Sequence, residues 1–245
     1  MNNRARLPLM LSVLTMILLL AGIGLIGFAA PSAAAAVCPS CYGFRPAGED
    51  VYVQQGVSPS EAETDRRAVD EGRRLVRAFW GQPQSHPRML ICRDNACFQR
   101  MKGGGRKGMS ILDVVAVLSP RGLSPVIAAH EMSMAELIHR IGWMGFARQT
   151  VPVWFNEGVS MVASDDQRYL APAGTGARCL VPAPALASLP AGPFEWNRRA
   201  LTDDHLYAKA ACATSRWIDG HGGHAAVVNL VAKVAAGTSF NEAIQ

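Results

Sequence analysis

Between Leu7 and Ala30 the chain carries no charged residue and almost no polar one, and Arg4 and Arg6 stand just ahead of this run. Such a run decides where the rest of the chain folds. The arginines stay on the cytoplasmic side, and everything after the run is carried across the membrane. A cleaved secretory signal fits the basic start and an A-x-A-like site near Ala34–Ala36. A membrane anchor fits the length, since about 20 apolar residues span a bilayer while the apolar part of a signal is about 7–15. Residues 1–36 are therefore a signal peptide or an N-terminal transmembrane anchor, and the length favours the anchor. Val37 stands where lipoprotein processing at Cys38 wants a small residue, which argues against lipidation.

Export places the six cysteines in an oxidising compartment, where disulfides persist. Cys92 and Cys97 can close a tight loop, and Cys179 can tie a long loop to a helix at Cys212. Cys38 and Cys41 form "CPSC", a spacing used for redox chemistry in cytosolic βαβ proteins. Here it falls in a Pro- and Gly-containing stretch beside the membrane, and a structural disulfide is expected. With no second C-x-x-C, a four-cysteine zinc site is not expected.

Roughly 205 residues follow the apolar run, enough for one sizeable core or two subdomains sharing a cleft. Residues 37–58 read as a linker, 59–170 as an α+β subdomain and 171–245 as a mostly helical C-terminal subdomain. Ser58-Pro59-Ser60-Glu61 starts a helix that ends at Gly81. "RMLIC" (88–92) and "ILDVVAVL" (111–118) read as strands, and "GGGRKG" (103–108) as a loop without the form of a phosphate cradle. Helices are expected over about 124–141 and 153–163. Residues 171–198 read as irregular, and the tail from Thr202 as helices broken at "DGHGGH" (219–224). The net charge of +5 is scattered and is not interleaved with aromatic residues, so nucleic acid is not expected as a partner.

The chemistry concentrates in "AAHEMSMAELIHR" (128–140). On a helix, His130 and residue 134 lie one turn apart on one face, where both can point at one ion. Glu131 projects beside that position and can take a proton from a metal-bound water. A catalytic zinc needs a third protein ligand, and Glu157 in "VPVWFNEGVS" (151–160) supplies one from the next helix.

His130-Glu131, Ala135-Glu136-Leu137, Arg140 and Pro152-Val153-Trp154-Phe155-Asn156-Glu157-Gly158 together resemble the gluzincins, the thermolysin-like zinc peptidases of the MA clan, and among them small exported bacterial peptidase-MA-like proteins. The resemblance covers about residues 88–165. It implies an α+β, thermolysin-like zincin fold: a small N-terminal sheet with the active-site helix, then a helical C-terminal subdomain. It also implies Zn as cofactor, His130 and Glu157 as ligands, Glu131 as general base and acid, and a peptide or protein as substrate or ligand. Tyr207, or else His205, would stabilise the oxyanion, and residues 114–122 would be the strand along the cleft.

Met134 departs from the family pattern H-E-x-x-H. Its thioether suits Cu(I) far better than Zn²⁺, so zinc affinity should fall by orders of magnitude. His139 lies about 180° round the helix from His130 and faces away, and nothing brings His221 or His224 to the cleft. The sequence thus supports a degenerate, impaired or inactive peptidase. A non-catalytic peptide-binding protein on the same scaffold is the alternative. A Cu(I) module built on His130, Met132 and Met134 is a minor one.

Overall fold

The computed structural model describes residues 30–174 and 177–245. The apolar run read as signal or anchor lies outside them, apart from its end. No helix among the described residues is long and apolar enough to cross a membrane. The architecture is α+β. It comprises strands β1 (Phe44–Gly48), β2 (Val51–Gln54), β3 (Arg88–Ile91), β4 (Gly108–Ile111) and β5 (Val115–Leu118), with nine α-helices among the described residues. In chain order the helices are α1 (Pro31–Val37), α2 (Pro59–Trp80), α3 (Asn95–Arg100), α4 (Pro125–Ala147), α5 (Val153–Ala163), α6 (Pro193–Arg199), α7 (Leu206–Gly220), α8 (His224–Ala235) and α9 (Phe240–Ala243).

The strands form one sheet in the order β1-β2-β3-β5-β4. β2, β3 and β5 run parallel, while β1 and β4 are antiparallel at the two edges. Alternate residues of the parallel strands face opposite layers, as the pleat requires. Val51, Val53, Met89, Ile91, Ala116 and Leu118 belong to the main core with the helices. Leu90, Val115 and Val117 belong to a second core with Phe44, Phe98, Met101 and the alanines of α1. Burial on both faces explains why β3 and β5 read as continuous apolar runs. The main core is continuous across residue 170: Val51 through Ala163 and Leu206 through Ala243 pack in one cluster.

Two expectations about the sheet are corrected. Residues 37–58 are not a linker, because they carry β1 and β2. The pairs Phe44↔Gln54 and Arg45↔Val53 build a hairpin that extends the sheet, with Phe44 and Val53 buried. Pro46, Gly48 and an edge position concealed the alternation. Nor is 111–118 a single strand. Residues 112–114 form a turn, with Leu112 at φ 52°, and the chain doubles back so that β4 pairs antiparallel with β5.

Helix ends follow local chemistry. Ser58 caps α2 in a reciprocal capping box with Glu61, and Pro59 fills its first position. Ser124 caps α4 by accepting from Ile127 N, and that helix kinks at Gly142, whose φ of 71° interrupts the helical backbone. The three disulfides are Cys38–Cys41, Cys92–Cys97 and Cys179–Cys212, as an oxidising compartment allows.

The strongest polar joint in the interior is Glu136 on α4. It is fully buried, accepts from the backbone amides of Gln84 and Ser85 at 2.8–3.0 Å, and pairs with Arg140 Nε at 2.6 Å. Arg140 in turn lies over Trp80, 5.2 Å from the ring centroid. Glu136→Ala removes the acceptor of two amides and the partner of a largely buried guanidinium, a loss of about 3–5 kcal/mol. Urea denaturation should show that drop for Glu136→Ala and a change within about 0.5 kcal/mol for the surface variant Glu71→Ala.

Candidate functional site

Helix α4 passes beneath β4 and alongside α5, and this packing brings His130, Glu131 and Glu157 to one cleft of about 640 Å³. Glu157 is presented by α5, which Trp154 and Phe155 anchor in the core. Gly158 lets α5 lie close to α7: a Cβ there would stand 2.0 Å from Thr214 Oγ1 and 2.7 Å from the Ala210 carbonyl oxygen. The glycine that follows Glu157 thus fixes the height at which the carboxylate enters the cleft.

His130 Nε2 lies 3.4 Å from Glu157 Oε2, with both side chains largely shielded, at 12% and 14% exposure. Burial opposes charge on the imidazole. The hydrogen bond and charge of Glu157, together with the charges of Glu131 and Asp166, outweigh it and hold the His130 pKa above its ordinary value. The other ring nitrogen, Nδ1, is buried and has no hydrogen-bond partner among the described residues. Metal-bound histidines usually donate that nitrogen to an oxygen that orients the ring. Glu136, one turn and a half along α4, does not serve, because Gln84, Ser85 and Arg140 occupy it.

Glu131 is 6% exposed and faces β4. Burial pushes its pKa up, the neighbouring His130 charge opposes the rise and Glu157 adds to it, leaving a value of about 7. The Ser110 hydroxyl donates to the carboxylate and Arg106 contributes positive charge, both favouring the ionised form. The approach of β4 is close. A Cβ on Gly108 would lie 2.6 Å from Glu131 Oε1, so only glycine starts the strand there. Neither Gly108 nor Ser110 was singled out by the sequence, since each lies far from residue 131 along the chain and neither belongs to a motif.

The remaining expectations divide. Met134 lines the same cleft as His130 and Glu157, at the position the second histidine of H-E-x-x-H would occupy. Tyr207 also lines it, stacked on Tyr169 at 5.3 Å, accepting from Trp196 and pushed by burial to a pKa of about 12, so its hydroxyl stays protonated. His205 does not line the cleft: it is exposed at the N-cap of α7. The strand along the cleft is β4, not residues 114–122, because β5 is hydrogen-bonded on both sides and fully buried.

The residues present do not fit a three-ligand zinc centre. Among the described residues no group of three or more His, Cys, Asp or Glu side chains is placed to hold a metal ion, and the thioether of Met134 is a poor zinc ligand. His139 pairs instead with Asp113 at 2.6 Å, His221 stacks on Trp217 and His224 packs on Phe79. The Cu(I) trio is not assembled either. Met132 is 6% exposed in the main core and borders a different cavity, on the far side of α4 from Met134. Residues two apart on a helix cannot share a face.

No family model, curated protein or solved structure matches the chain.

The raised pKa of Glu131 has a signed consequence for stability. Between the ordinary 4.5 and about 7 the folded protein holds a proton that the unfolded chain has released. Stability therefore falls as pH rises through that window and stays lower above it, by about 3 kcal/mol at most. Glu131→Gln removes the ionisation. In chelator-containing buffer its Tm should exceed that of the wild type by several degrees at pH 8 and match it at pH 4. An equal difference at both pH values would mean that the carboxyl titrates normally.

Proposed function

We propose that the chain is an exported gluzincin-like protein whose cleft holds an extended peptide but has lost zinc-dependent hydrolysis. Its N-terminal apolar run exports it and stays as an anchor, a reading favoured over cleavage near Ala34–Ala36 by the burial of Ala35 and Ala36 in the second core. One observation carries the reading: the cleft brings together His130, Glu131 and Glu157, the residues a gluzincin uses, while Met134 stands at the remaining ligand position. The arrangement of parts supports a thermolysin-like zincin scaffold. A small sheet precedes the helix bearing His-Glu, a second helix brings the glutamate, and a helical region closes the site. With two strong ligands in place of three, a bound zinc and its activated water are not sustained.

What survives is the means to hold a peptide. β4 pairs with β5 on one side only, and Met109, Ser110 and Ile111 border the cleft. The free backbone groups of an edge strand can accept an added strand, with alternate side chains entering the cavity. Inside, the Glu131 carboxyl in its protonated form, the Tyr207 hydroxyl and the His130–Glu157 pair offer donors to peptide carbonyls. Peptide binding on this account depends on the strand edge and on the cavity, and not on metal.

The test combines a peptide library with one substitution. The wild type should bind extended peptides equally with chelator or with added zinc, and cleave none of them. Met134→His should raise zinc affinity at least about tenfold. Chelator-sensitive cleavage by wild-type protein carrying one zinc per chain would overturn the loss of hydrolysis. No gain of zinc by Met134→His would remove the gluzincin reading itself.

A further inference from the structure

The "CPSC" segment has no part in the cleft, and its structural setting differs from that of the other two disulfides. Cys92 and Cys97 are 0% and 1% exposed, Cys212 is fully buried and its partner Cys179 half-buried. Cys41 is exposed and Cys38 half-buried. Exchange requires an incoming thiolate to reach a sulfur along the S–S axis, so access separates reactive disulfides from inert ones.

The fold does not depend on this bond. Cys38–Cys41 spans a sequence separation of 3, against 33 for Cys179–Cys212, and a short closed loop removes little entropy from the unfolded chain. The segments on either side are held by other means. Ala35 and Ala36 are buried, Ser32 Oγ donates to the Met101 carbonyl at 2.5 Å, and Arg88 donates to the Ala36 carbonyl. On the C-terminal side Phe44 is 1% exposed and β1 is paired in the sheet. Opening the disulfide leaves both anchors in place.

The surroundings suit a thiolate and a partner chain. Cys41 borders a groove of about 580 Å³ together with Pro31, Tyr42, Arg100, Met101 and Lys102. Arg100 and Lys102 line the same groove and bring positive charge to it, which favours a thiolate there. Ser40 Oγ lies 3.7 Å from Cys38 Sγ and can donate to that sulfur as it leaves.

We infer that Cys38–Cys41 is a thiol–disulfide exchange site that acts on a dithiol of another exported protein, whereas Cys92–Cys97 and Cys179–Cys212 are structural. A substrate thiolate attacks Cys41 Sγ, forming a mixed disulfide and expelling the Cys38 thiolate, which takes up a proton. The substrate's second thiolate then attacks its own sulfur in the mixed disulfide and expels Cys41. Two electrons and two protons pass from the substrate dithiol, which leaves as a disulfide, to Cys38 and Cys41. The step is reversible and needs no other oxidant.

The full chain, purified in detergent and equilibrated in graded mixtures of reduced and oxidised glutathione, reports on this directly when its thiols are alkylated and assigned by mass spectrometry. Cys38 and Cys41 should show a reduced-to-oxidised ratio at least tenfold above either other pair, with near-ultraviolet circular dichroism unchanged. Cys38→Ser, which frees Cys41, should be captured by oxidised glutathione at least tenfold faster than Cys41→Ser, which frees Cys38. Opening of Cys38–Cys41 only together with the other pairs, as the fold is lost, would overturn the inference. Equal capture of the two variants would overturn the assignment of Cys41 as the attacked sulfur.

Discussion

The contact between His130 and Glu157 joins two helices at the one place where the cleft could have held a dication, and the rest of the site is arranged around it. Two carboxylates and an imidazole meet there in a shielded cavity, an arrangement that costs free energy unless charge is balanced locally. The balance is internal. His130 gains proton affinity from Glu157, and Glu131 retains its proton to near neutrality because burial opposes its ionisation. Raised proton affinities at His130 and at Glu131 both lower the net negative charge of the site without an ion.

The scaffold holds this arrangement through packing that has nothing to do with metal chemistry. Glu136 and Arg140 lock α4 to the loop after α2, with Gln84 and Ser85 donating to the carboxylate. Gly158 sets the spacing of α5 against α7, and Gly108 lets β4 close over Glu131. A tightly packed frame fixes the geometry of a cleft independently of any ion. The cleft thus keeps its shape and its strand edge without metal ligation.

Much of this was legible in the sequence, and the gaps have physical causes. Helix α2 was readable from its Ser58 cap, Pro59 and apolar stripe, and α5 from Pro152 ahead of an apolar run. His130, Glu131 and Glu157 were singled out by the His-Glu pair and by the resemblance of 151–158 to the glutamate-bearing helix of gluzincins, not by composition or periodicity. β1 and β2 were not, since Pro46 and Gly48 interrupt the pattern and the strands gain their burial only from pairing with the rest of the sheet. The hairpin of β4 and β5 read as one strand because its turn, at 112–114, contains Leu112 and Val114 in place of the usual Gly or Asn. Gly108 belongs to a loop whose glycines looked like flexibility and Ser110 lies just past it, and only the tertiary approach of β4 to α4 gives them a role. Tyr207 lies in the cleft and His205 does not, a distinction that depends on the rotation of α7 and leaves no trace in local composition.

The central claim is that His130 and Glu157 are partners of each other and not of a metal. A double-mutant cycle of His130→Ala and Glu157→Ala, read by chemical denaturation with chelator and again with zinc, tests it most directly. The predicted result is a coupling of about 0.5–3 kcal/mol that is the same in both buffers. Additive losses in chelator, with coupling appearing only when zinc is present, would contradict it.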